Sequence, residues 1–407
     1  MMRMFRFSLC LYALFFMHAV FAYEDNPVVT PAEVLPPELL HSLKHKVKEV
    51  EVRNGMFHFY VESDFGAYYI DSLALLRERV REIIILGNAI NHTGSLEEHG
   101  MSGKIGDQLQ IRSDRALDIL KQPVKSANEL AKQVAHGLNE TLGGGEAEAR
   151  RKYIYNGGAS SDPVLAVHKR NVAGQWQLDV YSTNPRVQEF IGTVAREREA
   201  GNISAGTPAL NRVPVKPLRV ADAALESEIS SLLKAKSPVE LNDIDKRILE
   251  SVKIGPDLTT GFLQQSVLSP RHKTRICEYL TQLVDVDNLS AFIMVANAAR
   301  NESEALAGEE LAMMLANYHH KVNKLRALQS DNKGIDAVTV DNRLIHFTVQ
   351  DMIYWDQIAE QFYDALAERA KNAGVTRMQI VTSGLVTPEA KAQLQKRQFD
   401  IKQRDIF

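Results

Sequence analysis

The residues able to do chemistry are few, and their spacing argues against most of what they could do. His41 and His45 stand four apart in a segment read as helix. That spacing puts two imidazoles on one side, within reach of a single metal ion. No third ligand lies nearby, and zinc takes three or four protein ligands, so the pair reads as exposed and solvated. His319 and His320 are adjacent. Neighbours on a helix diverge by about 100°, which excludes joint chelation. His319 borders an apolar stripe and reads as a half-buried packing residue. Asp285-Val286-Asp287-Asn288 opens like a calcium loop, but its sixth position is Ser290 and its twelfth is Ala296. A calcium loop needs a glycine turn and a bidentate carboxylate at those places.

Gly143-Gly144-Gly145 follows a helical pattern and precedes no Gly-Lys-Ser/Thr, so it reads as a helix stop and not as a phosphate cradle. No Gly-x-Ser-x-Gly elbow, zincin motif or Cys-x-x-Cys pair occurs. Cys277, within Arg275-Ile276-Cys277-Glu278-Tyr279-Leu280, reads as a small buried residue. Tyr68, Tyr69, Tyr153 and Tyr155 are of a type found at binding faces, but aromatic residues in strands mostly pack. The sequence therefore assigns no catalytic residue, no cofactor-binding residue and no metal ligand, and it implies no cofactor.

The elements that would position any site are mainly helical. Leu39, Leu43, Val47 and Val50 keep helical spacing, which predicts a short helix over about 38–50. Phe57, Phe59 and Val61 alternate, Asp64-Phe65-Gly66 turns, and Tyr68-Tyr69-Ile70 resumes, which predicts a strand pair over 56–71. Asp71 or Ser72 then caps an amphipathic helix to about Asn91. Its apolar face is Leu73, Leu76, Val80, Ile83 and Ile84, and Arg77, Glu78, Arg79, Arg81 and Glu82 cover the other face. A second helical pattern runs over 113–142, kinked at Pro123. Trp176, Leu178 and Val180 alternate weakly, as in a strand.

Asn184-Pro185, Ser237-Pro238, Ser269-Pro270 and Thr387-Pro388 each set a capping residue before a proline. Proline at the first helical position gives up no hydrogen bond, so helices are expected from 185, 238, 270 and 388. Glu240 completes a capping box with Ser237. Residues 287–328 read as a helical hairpin or one long broken helix, with Leu311, Leu315, Tyr318, Val322 and Leu325 as its stripe. After that, strands around Asp341-Asn342, a helix over about 351–373, strand Met378–Val381, helix Thr387–Arg397 and strand Phe399–Ile401 give a ββαβαβ order. The expected fold is mostly α with a small α/β (α+β) C-terminal module and a short N-terminal strand pair. The expected units are a signal peptide over 1–22, a leader and short helix over 23–50, and the strand pair with amphipathic helices over 51–143. An irregular linker region with one helix near 185–200 covers 144–220, a helical domain covers 221–330, and the small α/β module covers 331–407.

The opening residues bear on location. Arg3 and Arg6 precede an apolar run from Phe7 to Phe21, no acid occurs before Glu24, and Val20 and Ala22 supply small residues before Tyr23. This is the layout of a secretory signal peptide cleaved after Ala22. The alternative, a retained anchor, is disfavoured because a bilayer span needs about 20 apolar residues. Loss of Arg3 and Arg6 with the leader takes the net charge from −3 to −5. A mildly acidic chain has no electrostatic case for broad nucleic-acid binding. Only Cys277 survives cleavage, so no internal disulfide forms. A periplasmic or secreted location is expected.

Three stretches together carry a resemblance: Ser63-Asp64-Phe65-Gly66-Ala67-Tyr68 running into Leu75–Ile83, then Tyr181-Ser182-Thr183-Asn184-Pro185, then Ser383-Gly384-Leu385 through Phe399-Asp400-Ile401. They resemble patches of a group of uncharacterised exported bacterial proteins. The resemblance implies a bacterial, exported origin and carries no activity, so no functional residue is transferred by it. The reading that follows is a binding or scaffolding role in the cell envelope, with another envelope protein as partner and no nucleic acid. An exported, hydrolase-like enzyme with a site assembled from distant residues is the alternative. A third reading is a peripheral membrane protein attached through 113–142. Internal packing of that segment is favoured, because Asp114, Asp118 and Glu129 offset Lys121, Lys125 and Lys132.

Overall fold

A computed structural model describes residues 23–98, 154–155, 163–201, 215, 223–330, 334–375 and 377–403. The expected signal peptide, the 113–142 segment, Gly143–Gly145 and Tyr153 lie outside the described residues. The fold class agrees with expectation: helices dominate, and the sheets give an α+β arrangement.

Two single-turn helices, α1 (Pro31–Val34) and α2 (Pro37–Leu40), lead into an antiparallel meander, β1 (His45–Arg53), β2 (Met56–Ser63) and β3 (Gly66–Asp71). β1 replaces the helix expected over 38–50. The deciding signal is Asn54-Gly55: both residues take positive φ, 51° and 78°, as a two-residue hairpin turn requires. Once the turn closes, Val47 and Val52 pair with Val61 and Phe57 and enter the core, which helical spacing would not allow. Phe57, Phe59 and Val61 pack beneath α3 (Leu73–Glu98), together with α4 (Pro163–Trp176) and α5 (Pro185–Glu199). α4 fills a stretch expected to be irregular, and Trp176 closes that helix instead of opening a strand.

The helical body comprises α6 (Ala223–Ala235), α7 (Pro238–Ser251), α8 (Pro256–Gln264), α9 (Pro270–Leu280), α10 (Ser290–Asn297) and α11 (Glu302–Lys321). The expected starts at 185, 238 and 270 are met. The Asn184, Ser237 and Ser269 side chains each accept a backbone N–H of the first turn, from Arg186, Glu240 and His272.

The C-terminal strands are β4 (Leu325–Ser330), β5 (Ile335–Thr339), β6 (Arg343–Thr348), β7 (Met352–Ile353), β8 (Arg377–Thr382), β9 (Leu385–Val386) and β10 (Phe399–Gln403). The helices among them are α12 (Gln357–Asn372) and α13 (Pro388–Lys396). The main sheet has the order β10-β8-β6-β5-β4: the first three strands in sequence are antiparallel, and β8 and β10 then add in parallel. Both faces are covered. Ile335, Ala337, Ile345 and Phe347 face α11 and share its core, with Tyr318 edge-on to Phe347 at 5.4 Å between ring centres. Val338, Leu344 and Ile380 face α12 and α13 with Trp355 and Tyr363. The expected hairpin stripe therefore splits: Leu311, Leu315 and Tyr318 are buried on α11, Leu325 is buried at the start of β4, and Val322 between them is exposed.

The N-terminal segment is strapped to this module. The Trp355 N–H donates to Glu24 Oε2 at 2.6 Å, the Thr387 hydroxyl donates to the same oxygen at 2.6 Å, and the Glu24 N–H donates to the Trp355 carbonyl at 2.7 Å.

Candidate functional site

A cleft of about 370 Å³ opens where the β1–β2 turn meets the C-terminal module. One wall is Asn54 and Gly55. The floor is Gln350 and Met352, and the far wall is Ile358 and Phe362 of α12. Gly55 is required twice over. Its φ is positive, and a Cβ there would sit 2.8 Å from the Met352 carbonyl oxygen. The Met352 N–H donates to the Gly55 carbonyl at 2.9 Å, so the turn and floor are joined directly. Asp356 fixes the start of α12 by accepting the Ala359 N–H at 2.7 Å. The volume lies within the range of small-ligand pockets, and the lining mixes apolar surface with side-chain amides.

His346 reaches this cleft from β6. It lies directly opposite Asp336 of β5, so both side chains point to the α12 face. Nδ1 of His346 is 2.8 Å from Asp336 Oδ1, and Arg369 donates to the other carboxylate oxygen at 3.3 Å. A carboxylate at Nδ1 places the ring proton there and leaves Nε2 as the acceptor. Phe362 packs against the ring at 5.0 Å between centres. Gly334 leaves room for it, since a Cβ at that position would sit 2.9 Å from Cε1.

Under the floor, Asp351 binds two elements at once. Its Oδ2 accepts the N–H of Phe57 at 2.9 Å and of Leu73 at 3.1 Å. Burial pushes its carboxyl up to about 7, against the pull of those two N–H groups.

A second polar cluster ties α3 to the helical body. Arg79 pairs with Glu82 at 3.1 Å and also with Glu302, while Ser182 and Asn184 donate to Glu82. Arg271 bridges Glu78 at 3.1 Å and Asp179 at 3.2 Å. Arg275 joins Glu309 at 2.9 Å to Glu226 at 2.7 Å. The charged face expected to cover the outside of α3 is thus substantially buried: Arg77, Arg79 and Glu82 are each 5 % exposed or less. Arginines and carboxylates arrive from α6, α9, α11 and the loop before α5 and pair with one another, as buried charge requires. Burial pushes His272 down to about 4, with Arg271 adding to the effect, so its imidazole is neutral. The cluster pairs fixed charges drawn from several elements, and its chemistry is that of a fastening.

The residues singled out from sequence are not brought together. His45 is buried on β1, with Ser42 at Nδ1 and the Leu39 carbonyl at Nε2, so the expected exposed pair with His41 does not exist. His319 is buried more deeply than expected. It accepts the Leu325 N–H at 3.1 Å, and Asp285 lies 3.2 Å away. Cys277 is buried and free. Tyr68 is buried, Tyr69 is exposed, and the Tyr155 hydroxyl reaches the Val267 carbonyl. Among the described residues no group of three or more His, Cys, Asp or Glu is placed to hold a metal ion.

No motif in the sequence marks the cleft residues. A signal was present: Asp336 and His346 interrupt apolar runs in strands buried on both faces. A polar residue there needs a partner. No protein-family model, no characterised protein and no solved structure matches the chain.

Proposed function

We propose that the protein is exported to the bacterial cell envelope and works there by binding, with the cleft between the β1–β2 turn and α12 as its recognition site. The cleft carries this reading: it is concave, sits where two parts of the fold meet, and combines apolar walls with a few directed polar groups. It suits a small ligand, or the tip of a partner chain, that offers an apolar face and hydrogen-bonding groups together. The export half rests on the basic, apolar and small-residue layout of residues 1–22. Among the described residues no helix is long and apolar enough to cross a membrane.

The test is capture from envelope extracts by residues 23–407, comparing wild type with Ile358→Arg. Ile358 is exposed at the rim, so the substitution fills the cleft without disturbing the core. Material held by wild type and lost by the variant supports the reading. Equal capture by both overturns it.

A second reading, a hydrolase-like enzyme, draws on the His346–Asp336 pair. An imidazole oriented by a carboxylate is the arrangement a general base takes. Turnover of ester or amide substrates that disappears in His346→Gln would favour it over simple binding.

A further inference from the structure

Asp351 stands at a junction of three segments. Its carboxylate accepts from β2 through Phe57 and from the first residue of α3 through Leu73. Its own carbonyl accepts the Leu385 N–H of β9 at 2.8 Å. Its sequence neighbours Gln350 and Met352 are the cleft floor, and Met352 is bonded to Gly55 of the cleft wall. Gly384 seals the other side. A Cβ there would lie 1.9 Å from the Gln350 carbonyl oxygen, so the backbone at 350–351 has no room to drift toward β9. The carboxylate is therefore the adjustable contact between the floor and the sheet that carries the turn.

We propose that Asp351 is the positioning residue of the cleft, holding the Gln350–Met352 floor against the Asn54–Gly55 turn through its bonds to Phe57 and Leu73, and holding it differently when charged and when neutral. This rests on the cleft being the recognition site. The physical basis is the change in acceptor strength. An ionised carboxylate makes charge-assisted bonds roughly twice as strong as those of a neutral acceptor. Protonation weakens both bonds at once, and they share one oxygen.

The groups that act on it are few. Glu310 of α11 opposes its charge and His58 of β2 favours it. His58 is itself held by Asp71 of β3 at 2.8 Å, and Arg77, one turn into α3, faces Glu310. The β9 side presents Ser383, Gly384 and Leu385, which carry no charge. The carboxyl titrates near 7, so the change falls in the range an envelope protein meets.

The test follows the amide signals of Phe57, Leu73, Gly55 and Met352 in the ¹⁵N-labelled 23–407 chain, from about pH 6 to about pH 8, roughly one unit either side of that midpoint. In wild type all four move together with one midpoint near 7. Asp351→Asn keeps an acceptor and cannot ionise, so its four signals stay flat while the rest of the spectrum is unchanged. Asp351→Ala loses amide protection at Phe57 and Leu73. The proposal is overturned if Phe57 and Leu73 titrate while Gly55 and Met352 stay fixed, if none of the four moves, or if Asp351→Asn titrates like wild type. Binding of the dye 8-anilinonaphthalene-1-sulfonate, compared between wild type and Ile358→Arg, reports separately on the cleft as a binding site. The amide titration needs no ligand, so the two readings fail independently.

Discussion

Asp245 of α7 offers the most exacting check on how the core treats charge. Its Oδ2 accepts the Thr274 hydroxyl at 3.1 Å, while Oδ1 is buried and has no hydrogen-bond partner among the described residues. Burial raises the carboxyl from 3.8 to about 8, helped by Glu278 and opposed by the Thr274 bond and Lys273. Between those values the folded chain keeps a proton that the unfolded chain has lost. Folding is therefore favoured by the full amount below 3.8, and the advantage disappears as pH rises through about 8. Each pH unit in the window is worth about 1.4 kcal/mol, so stability falls by about 4 kcal/mol from about pH 5 to about pH 8 on account of this residue. Asp245→Asn keeps the shape and the Thr274 acceptor but never ionises. The measurement is urea unfolding of both proteins at intervals across that range. The variant should gain on wild type steadily, by about one proton's worth per unit, and be the more stable of the two at the alkaline end. Asp351 titrates in both and cancels. Lys273, which burial pushes down to about 8, changes only at the alkaline edge of the window, so the slope is read over the lower two units. Parallel stability profiles for the two proteins would show that Asp245 is ionised in the fold, and the account of this core would fail.

Other substitutions probe the remaining contacts. Gly384→Ala forces a Cβ onto the backbone of Gln350 and Asp351, where no side chain can swing away. We expect a loss of about 3 kcal/mol or more, read as a lower urea midpoint. Ser237→Ala removes the capping oxygen that accepts the Glu240 N–H at 3.3 Å. The loss should be about 1 kcal/mol in the same assay, with no change in slope. Glu309→Gln leaves Arg271 and Arg275 facing each other across a buried site and should lose about 3–5 kcal/mol. Thermal unfolding that is indistinguishable from wild type would remove Glu309 from the fastening.

How far the sequence reveals this molecule depends on the range over which each signal acts. The capped prolines at 185, 238, 270 and 388 marked helix starts because cap and helix lie within one turn. Pro163 and Pro256 also stand at the first position of helices, and Gly255 before Pro256 supplies no capping side chain to announce the start. β5, β6, β8 and β10 were legible from alternation, whereas the sheet order and the short β9 were not, and β4 and β7 fall at the edges of segments expected to be helical, 287–328 and 351–373. β1 is masked by a coincidence, because Leu39, Leu43, Val47 and Val50 keep helical spacing and only the Asn54-Gly55 turn outweighs it. The charged face of α3 is hidden for a different reason. Its charges look solvated until Arg271, Glu302 and Asp179 arrive from distant parts of the chain. The cleft was illegible for the same cause: its walls come from residues 54–55 and 346–363, and nothing local declares that they meet.

The contact of Glu24 with Trp355 and Thr387 has a bearing on how the chain is made. During synthesis, Glu24 emerges more than three hundred residues before the groups that hold it. The leading segment must therefore wait, unpaired, while the helices behind it organise, and contacts between such distant partners form slowly. A polypeptide released short of Trp355 would lack every one of these partners and have a loose front end however well its middle had folded, and proteases would find it there first.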